Sequence, residues 1–134
     1  MQDDPDCVYT VYIKTGSIFG AGTDSIISLT LNDSNGNEFK INNLETWGGL
    51  MGPDYNYFES GNLDIFSGRG PCLNGPVCAM NLTSDGSGFL SDWYVSFVEV
   101  TVAEDHEQCA KKKFIVQQWL ETNTLPYKFT AIRN

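Results

Sequence analysis

The chain has 134 residues and a formal net charge of −9, from 17 acidic and 8 basic side chains, so it is expected to form one acidic domain. Its hydrophobic content of 41% and aromatic content of 13% are globular rather than disordered. This charge argues against a nucleic acid partner, and against direct adsorption to anionic lipid unless a bound cation changes the local field.

Short segments rich in β-branched and aromatic residues predict strands along the whole chain. The predicted strands are 8–14, 25–31, 38–44, 62–67, 77–83, 93–102, 111–117 and 127–133. No segment has helical periodicity over ten or more residues, and there is no internal repeat or linker. The pattern therefore predicts a single all-β domain, a sandwich or a barrel, with residues 1–7 as an N-terminal extension.

The link between the first two predicted strands contains Gly16, Gly20 and Gly22 and ends in Thr23 and Asp24. It is longer than a simple hairpin requires. Its glycines allow positive φ angles that turn carbonyls inward, and carbonyls with a carboxylate are ligands that Ca²⁺ prefers. The loop alone fits either a plain turn or a cation site.

Other local signals concern turns and irregular segments. Asn35-Gly36 predicts a hairpin between the second and third strands. Residues 45–61 form a long irregular segment, and loops of that length in compact domains are usually functional. A change in alternation near Phe97 predicts a β-bulge.

Four cysteines fit two disulfides. We expect Cys72–Cys78 to close a Gly/Pro-rich loop and Cys7–Cys109 to tie down the N-terminus. The even cysteine count, with sequons at Asn32 and Asn81, favours a secreted protein or one in the endoplasmic reticulum lumen. The polar start lacks a signal sequence and is typical of a mature chain.

The sequence supplies no catalytic constellation. The single histidine, His106, lies in a charged segment, no G-x-S-x-G motif surrounds a serine, and the cysteines are better explained as disulfides than as nucleophiles. What remains is a set of oxygen-bearing loop residues, which one end of a sandwich would bring together. They are Asp24, Asp54, Asn56, Glu59, Asp64, Asp85 and Asp92.

Several motifs, in order, resemble those of a PLAT (lipoxygenase-homology) domain over roughly residues 8 to 125. They are Tyr9 to Gly16, Gly20 to Ser25, Tyr55 to Gly61, Leu63-Asp64, Ser91-Asp92-Trp93-Tyr94, and Phe114 to Leu120 with its Trp119-Leu120 ending. As a small chain with cysteines, it looks similar to the secreted plant PLAT proteins associated with stress.

The resemblance implies a sandwich of two four-stranded antiparallel sheets and a binding module rather than a catalyst. In lipoxygenases the domain targets the enzyme to membranes with Ca²⁺. Carried over by position, a first calcium site has the carbonyls of Gly20 and Gly22 with the side chains of Asp24 and Asp92. A second has the Thr23 carbonyl with Asn56 and Glu59, although Tyr57 stands where some members carry aspartate.

The resemblance also gives apolar loop residues a role as lipid or partner contacts. These are Ile18, Phe19, Trp47, Leu50, Met51, Phe89 and Leu90. We expect Trp47 to be exposed, whereas Phe89 and Leu90 fit capping of the core equally well.

Three functions remain open. The first is a secreted, calcium-assisted lipid- or membrane-binding module in plant stress or defence. The second is a protein–protein interaction module without an essential metal. The third is a binder or enzyme acting on a small apolar molecule held between the sheets.

Overall fold

The computed structural model describes residues 6–52, 54–73, 75–88, 92–103, 110–121 and 127–134. These residues form strands and one short helix. In chain order the elements are β1 (Asp6–Thr15), β2 (Ile27–Asp33), β3 (Glu38–Ile41), α1 (Leu44–Gly48), β4 (Leu63–Pro71), β5 (Val77–Ser84), β6 (Trp93–Ala103), β7 (Ala110–Leu120) and β8 (Thr130–Arg133). No helix in the described ranges has the length and hydropathy to span a bilayer.

The strands form two four-stranded antiparallel sheets, which confirms the predicted fold class. Sheet A has the order β4-β1-β6-β7, and sheet B has the order β3-β2-β5-β8. Because side chains alternate between the two faces of a strand, each sheet buries one face against the other. Tyr9, Val11 and Ile13 of β1 are fully buried, as are Leu29 and Leu31 of β2.

Two local predictions are confirmed. The β2–β3 hairpin turns through Gly36, whose φ is +86°, and the Asp33 carboxylate accepts hydrogen bonds of 2.9 Å from the N–H groups of Asn35 and Asn37. In β6 the register against β7 shifts between Val95 and Phe97, so the predicted bulge is present.

The third predicted strand is too long at its C-terminal end. β3 stops at Ile41, and Leu44 begins α1 instead of ending a strand. The Asn43 side chain accepts from the N–H groups of Glu45 and Thr46 at 3.1 and 3.3 Å, which is an N-cap that stabilises a helix start. The predicted N-terminal extension is also too long, because β1 begins at Asp6.

The expected exposure of Trp47 is wrong. Trp47 is half-buried and packs against the core, with its ring 6.2 Å from that of Phe39. An indole atom lies 2.5 Å from where a Cβ of Gly68 would stand. The absence of that Cβ lets the ring lie flat on β4, so Trp47 is not a free loop tip.

Both predicted disulfides are wrong, because Cys7 pairs with Cys72 at a Cα–Cα distance of 5.1 Å. The antiparallel register places Cys7 opposite Gly70 and Asp6 opposite Pro71, so Cys72 emerges beside the start of β1. Each cysteine forms only one disulfide, which excludes Cys7–Cys109 and Cys72–Cys78 together. Cys78, in β5, forms no disulfide with the described cysteines, and Cys109 lies outside the described residues.

Candidate functional site

The described parts of three loops meet at one end of the sandwich, as a sandwich fold predicts. The first loop is residues 16–26, the second is 49–62, and the third is 85–92. The Gly61 N–H donates to the Gly16 carbonyl at 3.0 Å, and the Thr23 N–H donates to the Phe58 carbonyl at 3.0 Å. These bonds hold the second loop against the first.

The third loop is joined to the first in the same way. The Ser25 hydroxyl donates to the Ser87 carbonyl at 2.6 Å, and the Asp85 carboxylate accepts from the Ile26 N–H at 3.0 Å. Burial opposes ionisation of Asp85, but hydrogen bonds from Ser87 and from the Ile26 backbone outweigh it and lower its pKa. A charged Asp85 therefore stabilises the junction between these loops.

Asp64 of β4 binds the backbone of the second loop from the buried side of the strand. It is only 2% exposed, and its Oδ2 accepts from the Phe58 N–H at 2.7 Å. This bond supports Phe58 at a φ of +62°, a backbone conformation that bulky residues rarely adopt. Burial raises the pKa of Asp64, although hydrogen bonds from the Phe58 N–H and the Tyr55 hydroxyl act in the opposite direction. Among the described residues, its buried Oδ1 has no hydrogen-bond partner.

Four carboxylates at this end, Asp24, Glu45, Glu59 and Asp64, influence one another and are called the acidic cluster. Burial raises the pKa of Glu59, and the charges of Asp24 and Asp64 raise it further. Burial, then the charges of Asp64 and Asp24, raise the pKa of Glu45. This end of the domain therefore accumulates unfavourable negative charge, which a bound cation would relieve.

Sequence reasoning missed Glu45 as a member of this cluster. The residue lies in the first turn of α1, a helix that was not predicted. Asp64 was recognised only as one of several oxygen-bearing residues. The alternation of β4, which turns Asp64 inward between exposed Leu63 and Ile65, was the available signal for its burial.

The predicted calcium ligands of the first loop differ in their exposure to solvent. Gly20 is exposed with φ +78° and open space around it, whereas Gly22 packs against the Phe58 carbonyl. The side chain of Asp24 is exposed. Thr23 is buried, and its hydroxyl bonds to that of Ser25 at 3.1 Å.

The remaining predicted ligands belong to the other two loops. Asn56 is exposed and Glu59 is half-buried. Asp92 is half-buried directly before β6, where the Tyr94 N–H donates to the Ala21 carbonyl at 3.0 Å. The fold thus brings the three ligand-bearing loops together.

The types of ligand atoms in these loops suit a calcium ion. Carboxylates, an amide and loop carbonyls are oxygen ligands of the kind that Ca²⁺ selects, and the acidic cluster has charge to be neutralised. In the described ranges, however, no three His, Cys, Asp or Glu side chains are arranged to hold a metal ion. Ion binding at these loops would therefore rest on backbone carbonyls together with one or two carboxylates.

Apolar side chains project from the same loops. Phe19 is fully exposed, and Ile18, Leu50 and Met51 are each about half exposed or more. The Ser60 hydroxyl donates to the Ile18 carbonyl at 3.3 Å, and the Met51 N–H donates to the Tyr57 hydroxyl at 2.8 Å. These four residues are called the apolar tips. Phe89 and Leu90, predicted to join them, lie outside the described residues.

A cleft at the side of the sandwich, lined by Pro76, Val77, Val100, Val102, Lys111 and Lys112, has a volume of about 20 Å³. That is room for about one water molecule. This cleft cannot enclose a lipid chain.

Comparison with known proteins identifies the family. Residues 9–132 match the PLAT/LH2 domain. The chain belongs to the PLAT/LH2 family. It is 62% identical over 133 residues to PLAT domain-containing protein 1 of Arabidopsis thaliana, covering 99% of this chain and 74% of that protein. PLAT domain-containing protein 2 of the same plant is 59% identical, covering 99% of this chain and 73% of that protein.

The PLAT fold also appears in a solved lipoxygenase. Coral 8R-lipoxygenase, described as activated by calcium through a C2-like domain, superimposes with a TM-score of 0.64 at 22% identity. The match covers 95% of this chain but only 17% of that enzyme. At this identity the likeness establishes the shared fold, and the activity of the whole lipoxygenase is not carried over.

Proposed function

We propose that this PLAT domain is a non-catalytic module that binds lipid surfaces through its apolar tips, with Ca²⁺ assisting at the neighbouring loops. The observation that carries the proposal is the complete exposure of Phe19, at the tip of a loop bonded to both of its neighbours. Apolar side chains at loop tips mark membrane, ligand or partner sites. Burying one such side chain contributes about 1.5–3 kcal/mol.

The backbone around the tips favours insertion over collapse onto the domain. The first loop is held by the Thr23–Phe58 and Gly61–Gly16 backbone bonds, so Phe19 is presented on a fixed support. A pre-ordered loop loses less conformational entropy on binding than a flexible one. The tips therefore need little rearrangement to enter an interface.

In this proposal Ca²⁺ neutralises the acidic cluster. Without a cation, Asp24 and Glu59 would repel anionic headgroups next to the tips. The first proposed site uses the carbonyls of Gly20 and Gly22 with Asp24 and Asp92. The second uses the Thr23 carbonyl with Asn56 and Glu59. The description of the coral lipoxygenase domain as calcium-activating supports this assignment for the fold.

Secretion belongs to the same proposal. The Cys7–Cys72 disulfide suits an oxidising compartment, such as the extracellular space or the endoplasmic reticulum lumen. Asn32 and Asn81 are half-exposed on β2 and β5 and are proposed glycosylation sites. PLAT domain-containing proteins 1 and 2, to which the chain is similar, are plant proteins, and a role in plant stress or defence is part of the proposal.

Vesicle co-sedimentation tests the proposal. The vesicles are phosphatidylcholine alone or phosphatidylcholine with 20% phosphatidylserine, each with Ca²⁺ or EGTA. Phe19→Ser is expected to weaken binding at least tenfold, since it removes more than about 1.4 kcal/mol of apolar burial. Ile132→Ser, at an exposed residue on β8, is the matched control and should bind as the wild type does.

The same experiment tests whether calcium contributes to binding. EGTA and Asp24→Asn are each expected to reduce binding to the phosphatidylserine vesicles. Unchanged binding by Phe19→Ser would exclude the tips as the lipid contact. Binding indifferent to both EGTA and Asp24→Asn would exclude the metal and leave the tips in place.

A further inference from the structure

The outer face of sheet A combines basic and apolar side chains. The antiparallel register aligns its outward side chains in rows across the four strands. One row is Leu63–Lys14–Phe97–Ile115, the next is Ile65–Tyr12–Glu99–Lys113, and the third is Ser67–Thr10–Thr101–Lys111. Arg69 and Val8 begin a fourth row. This surface is called the basic face.

Half of the cations of this acidic chain lie on the basic face. Of its 8 basic residues, Lys14, Arg69, Lys111 and Lys113 occupy these rows. Glu99 is the acidic side chain within the rows, and it pairs with Lys111 at 3.5 Å. Four cations less one acid leaves an excess of three positive charges, whereas the whole chain carries −9.

Apolar side chains lie among the charged ones on the basic face. Leu63, Ile65 and Ile115 are 48%, 37% and 53% exposed, while Tyr12 and Phe97 are half-buried. The Lys113 ammonium lies 4.2 Å from the centroid of the Phe97 ring, so this cation is held over an aromatic surface. Protein–protein interfaces likewise combine apolar and aromatic side chains with polar ones.

The outer face of sheet B offers no such surface. Its central rows present Ser28, Thr30, Asn81 and Thr83, which are half-exposed and uncharged. Both sequon asparagines lie on strands of that sheet. Glycans attached there would cover sheet B and leave sheet A accessible.

We infer that the basic face is a docking surface for an acidic protein surface, separate from the apolar tips. Its excess positive charge selects an anionic partner. The face favours a protein over a bilayer, because its exposed apolar side chains are only about half exposed or less, whereas Phe19 is fully exposed. At standard strand spacings the rows cover roughly 15 by 20 Å, which suits a transient interface.

A titration followed by ¹H–¹⁵N NMR tests the inference, with a random copolymer of glutamate and tyrosine (4:1) as the acidic polypeptide. Shift changes are expected for amides of β1, β6 and β7 and not for those of β2 and β5. Lys111→Glu/Lys113→Glu should weaken the copolymer's affinity at least tenfold. Lys40→Glu/Lys128→Glu, which makes the same charge change at exposed residues elsewhere, should leave it within about twofold.

Several outcomes would overturn the inference. Equal weakening by the two double variants would show that overall charge, rather than the face, decides binding. Shifts confined to the apolar tips would place the contact elsewhere. Absence of copolymer shifts, with binding to phosphatidylserine vesicles that depends on Lys111 and Lys113, would assign the face to membranes. Concentration-dependent shifts of the same amides without copolymer would assign it to a second copy of the chain.

The variants remain interpretable because the lysines are at the surface. The more conservative Lys111→Gln/Lys113→Gln removes the charges without introducing repulsion against Glu99. It is expected to weaken copolymer binding by an intermediate factor. A wild-type affinity for this variant, with a wild-type pattern of dispersed amide signals, would also overturn the inference.

Discussion

The indole N–H of Trp93 donates to the Thr15 hydroxyl at 2.9 Å, and the two residues are 78 positions apart. Both side chains are completely buried. Thr15 ends β1 at the root of the first loop, and Trp93 begins β6 where the third loop ends. This bond therefore fixes two of the three site loops relative to each other.

Removing both partners of that bond should cost less than the sum of the two separate removals. Thr15→Val leaves the Trp93 N–H buried without an acceptor and is expected to lower the free energy of unfolding by about 1–3 kcal/mol. Trp93→Phe also loses ring packing against Phe58, whose centroid is 5.0 Å away. The measurement is a double-mutant cycle by urea denaturation. Strict additivity of the two substitutions would show that the hydrogen bond contributes nothing.

The Cys7–Cys72 disulfide should dominate the stability of the N-terminal strand. It joins residues 65 positions apart, and the chain-entropy model assigns such a link about 4 kcal/mol. Cys7→Ala/Cys72→Ala is expected to lower the free energy of unfolding by roughly that amount. Denaturant unfolding without reductant measures it, with Thr10→Ala, a half-exposed β1 residue, as a control that keeps the disulfide.

Peptide mapping gives a direct check on the same pairing. A non-reduced digest is expected to contain a peptide pair linked through Cys7 and Cys72. Recovery of Cys72 linked to Cys78 instead would contradict the register of β1 against β4.

Asp64 should make stability fall as the pH rises. Burial holds its folded-state pKa above the ordinary value of 3.8, so its favourable contribution is complete below pH 3.8 and is lost as the pH rises through the folded pKa. Asp64→Asn cannot ionise. The difference in unfolding free energy, variant minus wild type, is therefore expected to increase from about pH 4 upward.

Urea midpoints between pH 4 and pH 7 measure this difference. The amide placed at the buried Oδ1 position adds a penalty that does not depend on pH, so only the trend matters. Asn56→Ser, at an exposed residue of the second loop, changes no ionisable group and should give a flat difference. A difference for Asp64→Asn that decreases with pH would mean that Asp64 is stabilising as a carboxylate.

Alanine substitution at Gly22 should displace the second loop, whereas alanine substitution at Gly20 should not. A Cβ on Gly22 would lie 2.9 Å from the Phe58 carbonyl oxygen, so Gly22→Ala must push the second loop away. Gly20 has φ +78° and open space, so Gly20→Ala has only backbone strain, roughly 1–2 kcal/mol. NMR spectra are expected to show displaced amide signals for residues 58–60 in Gly22→Ala alone. Displacement of the same signals in Gly20→Ala would contradict the packing described.

The calcium and apolar predictions came from positions in a family pattern, and the fold shows how they relate. The family pattern predicted that the loops of Asp24 and Glu59 meet, and the Thr23–Phe58 bond joins them. Glu45 was not predicted, because its place depends on a five-residue helix too short to produce a periodic signal. Trp47 was misjudged for a related reason, since its burial depends on Gly68 at a distance of 21 positions.

The sequence by itself determined the strands, the Asn35-Gly36 hairpin and the all-β class, because alternation and turn chemistry are local properties of the chain. The choice of a two-sheet sandwich over a barrel came from the resemblance to the family. Only the tertiary structure decided which cysteines meet, since Cys7 and Cys72 become neighbours through the β1–β4 register. That register, with those of β1 against β6 and of β6 against β7, set the rows of the basic face. It also brought Asp64 beneath the second loop. These relationships join residues far apart in the chain, and no local pattern encodes them.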